Sequence, residues 1–160
     1  MGRTGFETHD HGRCIVEAIA AAERHCTETR AQLTPIRRRV LEILLGEHRA
    51  MGAYEVLDVL RAEGQPAQPP VAYRALDFLV RLGLVHRIER LNAFVACARP
   101  GEDHRPGFLI CRGCRHVAET RAQEAPQIFG TMPVAGGFMI ESVMVEAEGL
   151  CPGCRAAQPA

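Results

Sequence analysis

The stretch PPVAYRALDFLVRLGLVHRIE, residues 69 to 89, decides how this chain is read. Its prolines suit the first turn of a helix, where a backbone N–H has no intrahelical partner to lose. Val71, Ala75, Leu76, Leu79 and Leu82 fall on one side at the helical period, leaving Tyr73, Arg74, Asp77 and Arg81 on the others. Gly83 then ends the helix. The period changes at once: LVHRIE reads as a strand, RLN as a turn and AFVAC as a second strand. A helix that runs straight into a two-stranded ribbon is the closing half of a winged helix-turn-helix. In that fold the last helix enters the major groove and the ribbon rests on the DNA backbone.

Upstream, the pattern supplies the preceding helices. Residues 13 to 31 carry Ile15, Ile19 and Ala22 on one face. Thr34 is a candidate N-cap before Pro35, opening a helix with Ile36, Val40, Ile43 and Leu44 inward. A third helix runs from Ala53 to about Glu63 and stops at Gly64, with Val56, Leu57 and Leu60 as its inner face. Downstream, residues 99 to 106 are polar and turn-rich, the composition of a hinge. A second unit follows, with strands expected at 107–111, 116–119 and 138–146 and a helix near 123–132. The expected fold class is α+β. It comprises a winged-helix domain over residues 1–98, a hinge over 99–106 and a small C-terminal α/β domain over 107–160.

The chain has 160 residues, and two units of this size each have a thin core that calls for a staple. Every basic residue is arginine, and the 19 arginines are balanced by 19 acids, almost evenly along the chain. Bulk charge therefore gives no support to nucleic-acid binding, and any such role must rest on local arrangement. No apolar run approaches the roughly 20 residues of a membrane span. The first residues, MGRTGFETHDHGRC, have no signal-peptide core. A cytoplasmic location is expected, and there clustered cysteines more often bind metal than form disulfides.

Cys111 and Cys114 form one CxxC pair, and Cys151 and Cys154 another. In each, a tight turn can aim both sulfurs at one point. Four thiolates make a closed tetrahedral zinc site of the structural kind, which would supply the missing core energy. The competing readings are a redox pair and unpaired core cysteines. A redox CxxC usually opens a helix after a buried strand, whereas Arg112-Gly113 reads as a turn between strands. A second set is less regular: His86 on the first ribbon strand, Cys97 at the end of the second, His104 in the hinge and Glu119 after the first CxxC. Imidazole, thiolate and carboxylate together can hold zinc, and this set would join both halves of the chain. The plain alternatives are a surface histidine, a core cysteine and a solvated acid. Cys14 and Cys26 read as buried helix residues.

Taken together, PPVAYRALDFLVRLGLVHRIE, LTPIRRRVLEIL, FLICRGCRHVAE and CPGC resemble the ferric uptake regulator family of metal-dependent repressors, and most closely its zinc-sensing branch. The likeness runs over roughly residues 13 to 154. It implies a homodimeric repressor with zinc at about two sites per chain and double-stranded operator DNA as partner. Cys111, Cys114, Cys151 and Cys154 match the family's structural zinc ligands. His86, Cys97, His104 and Glu119 match the regulatory zinc site of the zinc-sensing branch. Tyr54 and Arg74 fall where the family contacts DNA, and Tyr73 and Arg37 are further candidates. Arg74 suits a base edge, whereas Tyr54 and the cluster Arg37 to Arg39 suit phosphates. The bland reading of that cluster is a solvated helix face. Asp58 and Arg61 could pair between dimers on one operator or simply within their own helix. The segment reads PPVAYR where the family more commonly has PPTVYR, so a small polar residue at the helix start is absent. The histidine cluster ahead of the first CxxC is reduced to His104, which argues against an iron-type site.

Other readings predict different behaviour. An iron- or peroxide-responsive repressor of the same family would tolerate iron(II) in the ligand set. A zinc enzyme would need an open coordination position beside a base, and the chain has no HExxH, deaminase or glycine-rich phosphate signature. A thiol oxidoreductase would need only one of the two pairs. The expected absence of enzymatic activity follows from this.

Overall fold

The structure is a computed structural model that describes residues 11–47, 49–65, 67–102, 104–122, 137–139 and 143–157. Four helices come first: α1 (His11–Glu28), α2 (Pro35–Leu45), α3 (Ala53–Ala62) and α4 (Pro69–Arg81). A two-stranded antiparallel ribbon follows, β1 (Val85–Ile88) and β2 (Ala93–Ala96), with Val85 opposite Ala96 and His86 opposite Val95. Then come β3 (Pro106–Cys111), β4 (Val117–Arg121), β5 (Val145–Gly149) and a short helix α5 (Pro152–Ala156). Strands β4, β3 and β5 form one sheet in that order; β3 pairs antiparallel with β4 and parallel with β5. No helix among the described residues is long and apolar enough to cross a membrane.

The helix starts follow local chemistry. Thr34 occupies the N-cap of α2 with extended backbone, but its side chain makes no capping bond, so the start rests on Pro35. At α3 the Glu55 carboxylate reaches back to accept from the Gly52 N–H at 2.7 Å. Gly83 ends α4 at φ +68°, a left-handed conformation that glycine adopts without cost. On α4 the buried face is Ala72, Ala75, Leu76, Phe78 and Leu79, with Val71 and Leu82 half-buried. The inward stripe is thus wider than the five residues expected from period alone. Phe78 joins because α2 packs across that side. The turn of the ribbon begins a residue early, as a single 3-10 turn over Glu89–Leu91 that closes at Asn92, φ +46°.

Among the described residues, two apolar clusters form the core. The larger is built from α1 to α4 and the ribbon and includes Val40, Leu44, Val56, Leu57, Leu60, Leu76 and Leu79. The smaller joins Ala50, Ile88 and Ala93 to Phe108, Ile110 and Val117. It therefore joins residues from both sides of the segment 99–106: the thin core of the C-terminal sheet is completed by the ribbon. Cys26 is buried as expected, but Cys14 is exposed, because α1 turns that face to solvent. The last strand also differs from expectation. It covers Val145–Gly149, and residues 137–139 and 143–144 lie outside it. Its sequence, VEAEG, has no buried residue, and its place is fixed by main-chain pairing to β3. The helix expected near 123–132 lies outside the described residues.

Candidate metal centres and nucleic-acid face

Cys111 is the last residue of β3, and Cys114 ends the tight turn that follows. Cys151 is the N-cap of α5 and Cys154 lies inside it. All four sulfurs fall within 4.8 Å of one another, with Cys114 and Cys151 Sγ 3.7 Å apart. Four ligands about 2.3 Å from one ion stand roughly 3.8 Å apart, so the spacing fits a four-thiolate centre. Backbone N–H groups of Cys114 and Cys151 point at the Cys111 sulfur and pull its pKa down to about 6, whereas the sulfurs of Cys151, Cys111 and Cys114 push that of Cys154 up to about 12; four crowded sulfurs become thiolates together only around a cation. Gly113 is built into the knot. A Cβ there would come within 3.0 Å of Cys154 Sγ and 3.2 Å of its Cβ.

The second set assembles from four places. His86 is on β1, Cys97 just past β2, His104 just before β3 and Glu119 on β4. Their ligand atoms also lie within 4.8 Å of one another. His104 Nε2 stands 2.7 Å from Glu119 Oε1 and 3.6 Å from Cys97 Sγ; His86 Nε2 is 3.7 Å from Glu119 Oε2. The Glu119 side chain is only 4% exposed. Burial depresses the basicity of His86 and holds the Cys97 thiol up to about 12.

Three observations test whether a metal suits this set. Among the described residues the buried His86 Nε2 has no hydrogen-bond partner, an unusual state for a polar atom of a folded chain. The Nδ1 of His104 faces the Glu102 carbonyl at 2.9 Å. A carbonyl only accepts, so Nδ1 carries the proton and the neutral ring turns its Nε2 lone pair toward Glu119. A lone pair and a carboxylate oxygen at 2.7 Å need a cation or a proton between them. Finally, a buried thiolate and a buried carboxylate together carry two negative charges, which a divalent ion balances. The residues fit a zinc ion on all three counts.

The helical face toward solvent carries the other candidates. Tyr54 near the start of α3 and Tyr73 on α4 are both exposed and meet edge to face, 6.5 Å between ring centroids. Arg74 is exposed, and its Nε donates to the Pro70 carbonyl at 3.1 Å, which holds the guanidinium at the start of α4. Arg37 lies over the Phe78 ring, 3.6 Å from its centroid, and donates to the Gln32 carbonyl. Arg38 pairs with Glu23 and Glu42, and Arg39 with Glu42 and Glu63, so these two are staples between helices. Arg61 and Asp58 meet within α3 at 3.5 Å, the limit of a hydrogen bond.

Sequence reasoning passed over several residues that shape these sites. Phe108 packs against the His86 ring, centroids 5.4 Å apart. The Ala98 N–H, just past β2, donates to Glu119 Oε2 at 2.8 Å and fixes the carboxylate. Glu146 and Glu148 on β5 reach the ribbon turn. The only sequence signal for the last two was their spacing of two on a strand.

No protein-family model matches the chain. It is 37% identical over 139 residues to the zinc uptake regulation protein of Escherichia coli K12, covering 86% of this chain and 81% of that one. Among solved structures it superposes on a zinc uptake regulator complexed with zinc and DNA, with TM-score 0.83 and 36% identity over 89% of this chain and 95% of that one. It superposes on holo XcZur with TM-score 0.79 at 39% identity, covering 88% and 99%, and on the apo form with TM-score 0.52 at 38% identity, covering 89% and 99%. This identity, held across most of both chains, places the chain in the zinc uptake regulator family.

Proposed function

We propose that this chain is a zinc-responsive transcriptional repressor that binds operator DNA as a homodimer in the cytoplasm and controls zinc uptake genes. The observation that carries the reading is the buried His86–Cys97–His104–Glu119 set. It draws its members from both sides of the hinge, in a chain 37% identical to a zinc uptake regulation protein. Residues 1–98 would read DNA, 99–106 would act as hinge and 107–160 would dimerise. Cys111, Cys114, Cys151 and Cys154 would hold the structural zinc.

In the regulatory site, zinc would supply a closed four-ligand tie between the two units. The chain's own residues prepare it. Glu102 fixes the His104 tautomer, Phe108 orients the His86 ring, and the Ala98 N–H holds Glu119. Repression then follows from population shift: the arrangement favoured by the filled site is the one DNA prefers, and a tenfold gain in affinity needs only about 1.4 kcal/mol of coupling. Arg74 would meet a base edge, with Tyr54 and Tyr73 beside it and Arg37 near the backbone. The Cys97 sulfur favours zinc over iron(II), which prefers harder donors.

Elemental analysis tests the reading. Zinc should fall from two per chain to one on dialysis against a moderate chelator, with the dimer intact and operator binding lost. A single zinc that never leaves, in a protein that still binds its operator, would strip the mixed site of its role and favour the iron- or peroxide-responsive alternative.

A further inference from the structure

Glu146 lies on β5, the edge strand of the C-terminal sheet, yet its carboxylate is engaged with the ribbon. One oxygen accepts from the Glu89 N–H at 2.8 Å and the other from the Arg90 N–H at 3.1 Å. Two residues on, and so on the same face of the strand, Glu148 takes the Arg90 guanidinium at 3.1 and 3.3 Å. The register sets these carboxylates beside the smaller apolar cluster, since Glu146 pairs with Phe108 and Glu148 with Ile110.

We propose that Glu146 and Glu148 are positioning residues for DNA binding. They latch the tip of the ribbon onto the C-terminal sheet and so fix the angle of the reading helix. The inference rests on the repressor reading above. A carboxylate that accepts two successive backbone N–H groups is pinned in both distance and direction, unlike a single surface ion pair. The latch also lies at the far end of the ribbon from the metal set. His86 and Cys97 lie toward its base, Glu89 and Arg90 at its turn, roughly 10 Å along the strand. Attachment at two separated points resists the twist that attachment at one point permits. The arrangement so held is the one that superposes on the zinc- and DNA-complexed regulator at TM-score 0.83. The Arg90 guanidinium balances the charge of Glu148, and the two turn amides hold the charged Glu146 carboxylate on the C-terminal sheet.

The test uses the full zinc-loaded chain as wild type, Glu146→Ala, Glu146→Gln and the double variant Glu146→Ala/Glu148→Ala. Hydrogen exchange at the Glu89 and Arg90 amides reads the latch itself. A duplex enriched from a random pool by the wild-type protein in zinc reads its consequence. The alanine variants should keep two zinc ions per chain, lose protection at both amides and bind the duplex roughly three- to tenfold more weakly. Glu146→Gln, which keeps an acceptor oxygen, should fall between. The salt dependence of binding should keep its slope, because no phosphate contact is removed; loss of such a contact would reduce the slope by about one. Unchanged exchange at the two amides, loss of zinc, a reduced slope or tighter binding by the alanine variants would each overturn the proposal. A wild-type protein that enriches no duplex in zinc would sink the repressor reading instead, and the exchange data would still decide whether the latch exists.

Discussion

The Cys97 sulfur is buried beside His104 Nε2, and that burial, with the nearby Glu119 carboxylate, pushes its thiol pKa up to about 12. Cys97→Ala removes this donor and opens little space. The variant is expected to fold, keep one zinc at the four-cysteine knot and lose the second, with zinc-dependent DNA binding lost; elemental analysis and DNA retention read both. Gly113 makes the complementary case. Gly113→Ala forces a methyl against Cys154, and either the turn or a sulfur must move. Its zinc should pass to a strong chelator several-fold faster than that of wild type, followed with a colorimetric zinc indicator, while the mixed site keeps its occupancy. Equal release rates would mean that the knot has more room than its geometry indicates.

At the scale of elements, helix packing depends on α4 and on charges that staple its neighbours. Leu76 is fully buried among four helices, so Leu76→Ala should cost about 2–5 kcal/mol, read as a lower urea midpoint. The bond from Arg39 lowers the pKa of Glu63, and the Gly52 N–H, then Arg49, lower that of Glu55. Both carboxylates are therefore charged more readily in the folded chain than in the unfolded one. Their contribution is complete above the usual carboxylate pKa of about 4.5 and is lost as pH falls through the folded values. A series of urea midpoints against pH should decline below that point, and Arg39→Ala should flatten the decline. A variant with the wild-type slope would show that the pair adds nothing to acid sensitivity.

Over the whole molecule, the contacts among the described residues that join the N-terminal helices and ribbon to the C-terminal sheet include the apolar cluster around Ile88 and Phe108, the mixed ligand set, the main-chain bridge between Arg49 and His116, and the β5 carboxylates on the ribbon turn. Removing the exchangeable zinc takes away one of them. Small-angle scattering should then report a larger radius of gyration at unchanged oligomeric state, restored by adding one zinc equivalent per chain. A radius that does not respond would mean that the remaining contacts hold the closed arrangement alone.

What could be read in advance divides along physical lines. Helix boundaries and the ribbon are local: a proline, a positive-φ glycine or a change of period marks each within a few residues of sequence. Hence α2 to α4 and β1 to β3 fall close to where PPVAYRALDFLVRLGLVHRIE and its flanks place them. The tight turn expected at each CxxC is present at Cys111–Cys114, whereas Cys151–Cys154 opens helix α5. Strand β5 lies further along the chain than its sequence suggests because VEAEG has only Val145 and Ala147 as apolar residues and buries neither; its partner, not its own composition, makes it a strand. The ligand set could be named by residue from its likeness to a family, but spacing alone could not bring His86, Cys97, His104 and Glu119 to one point. Nor could sequence show that Arg38 and Arg39 staple helices, that Cys14 faces outward, or that Glu146 reaches across to the ribbon. The sequence by itself determined the local elements and the chemistry of the donors, because these depend on neighbours along the chain. Only the tertiary structure decided which donors meet and how the ribbon joins the C-terminal sheet, because burial and pairing depend on residues brought together from far apart.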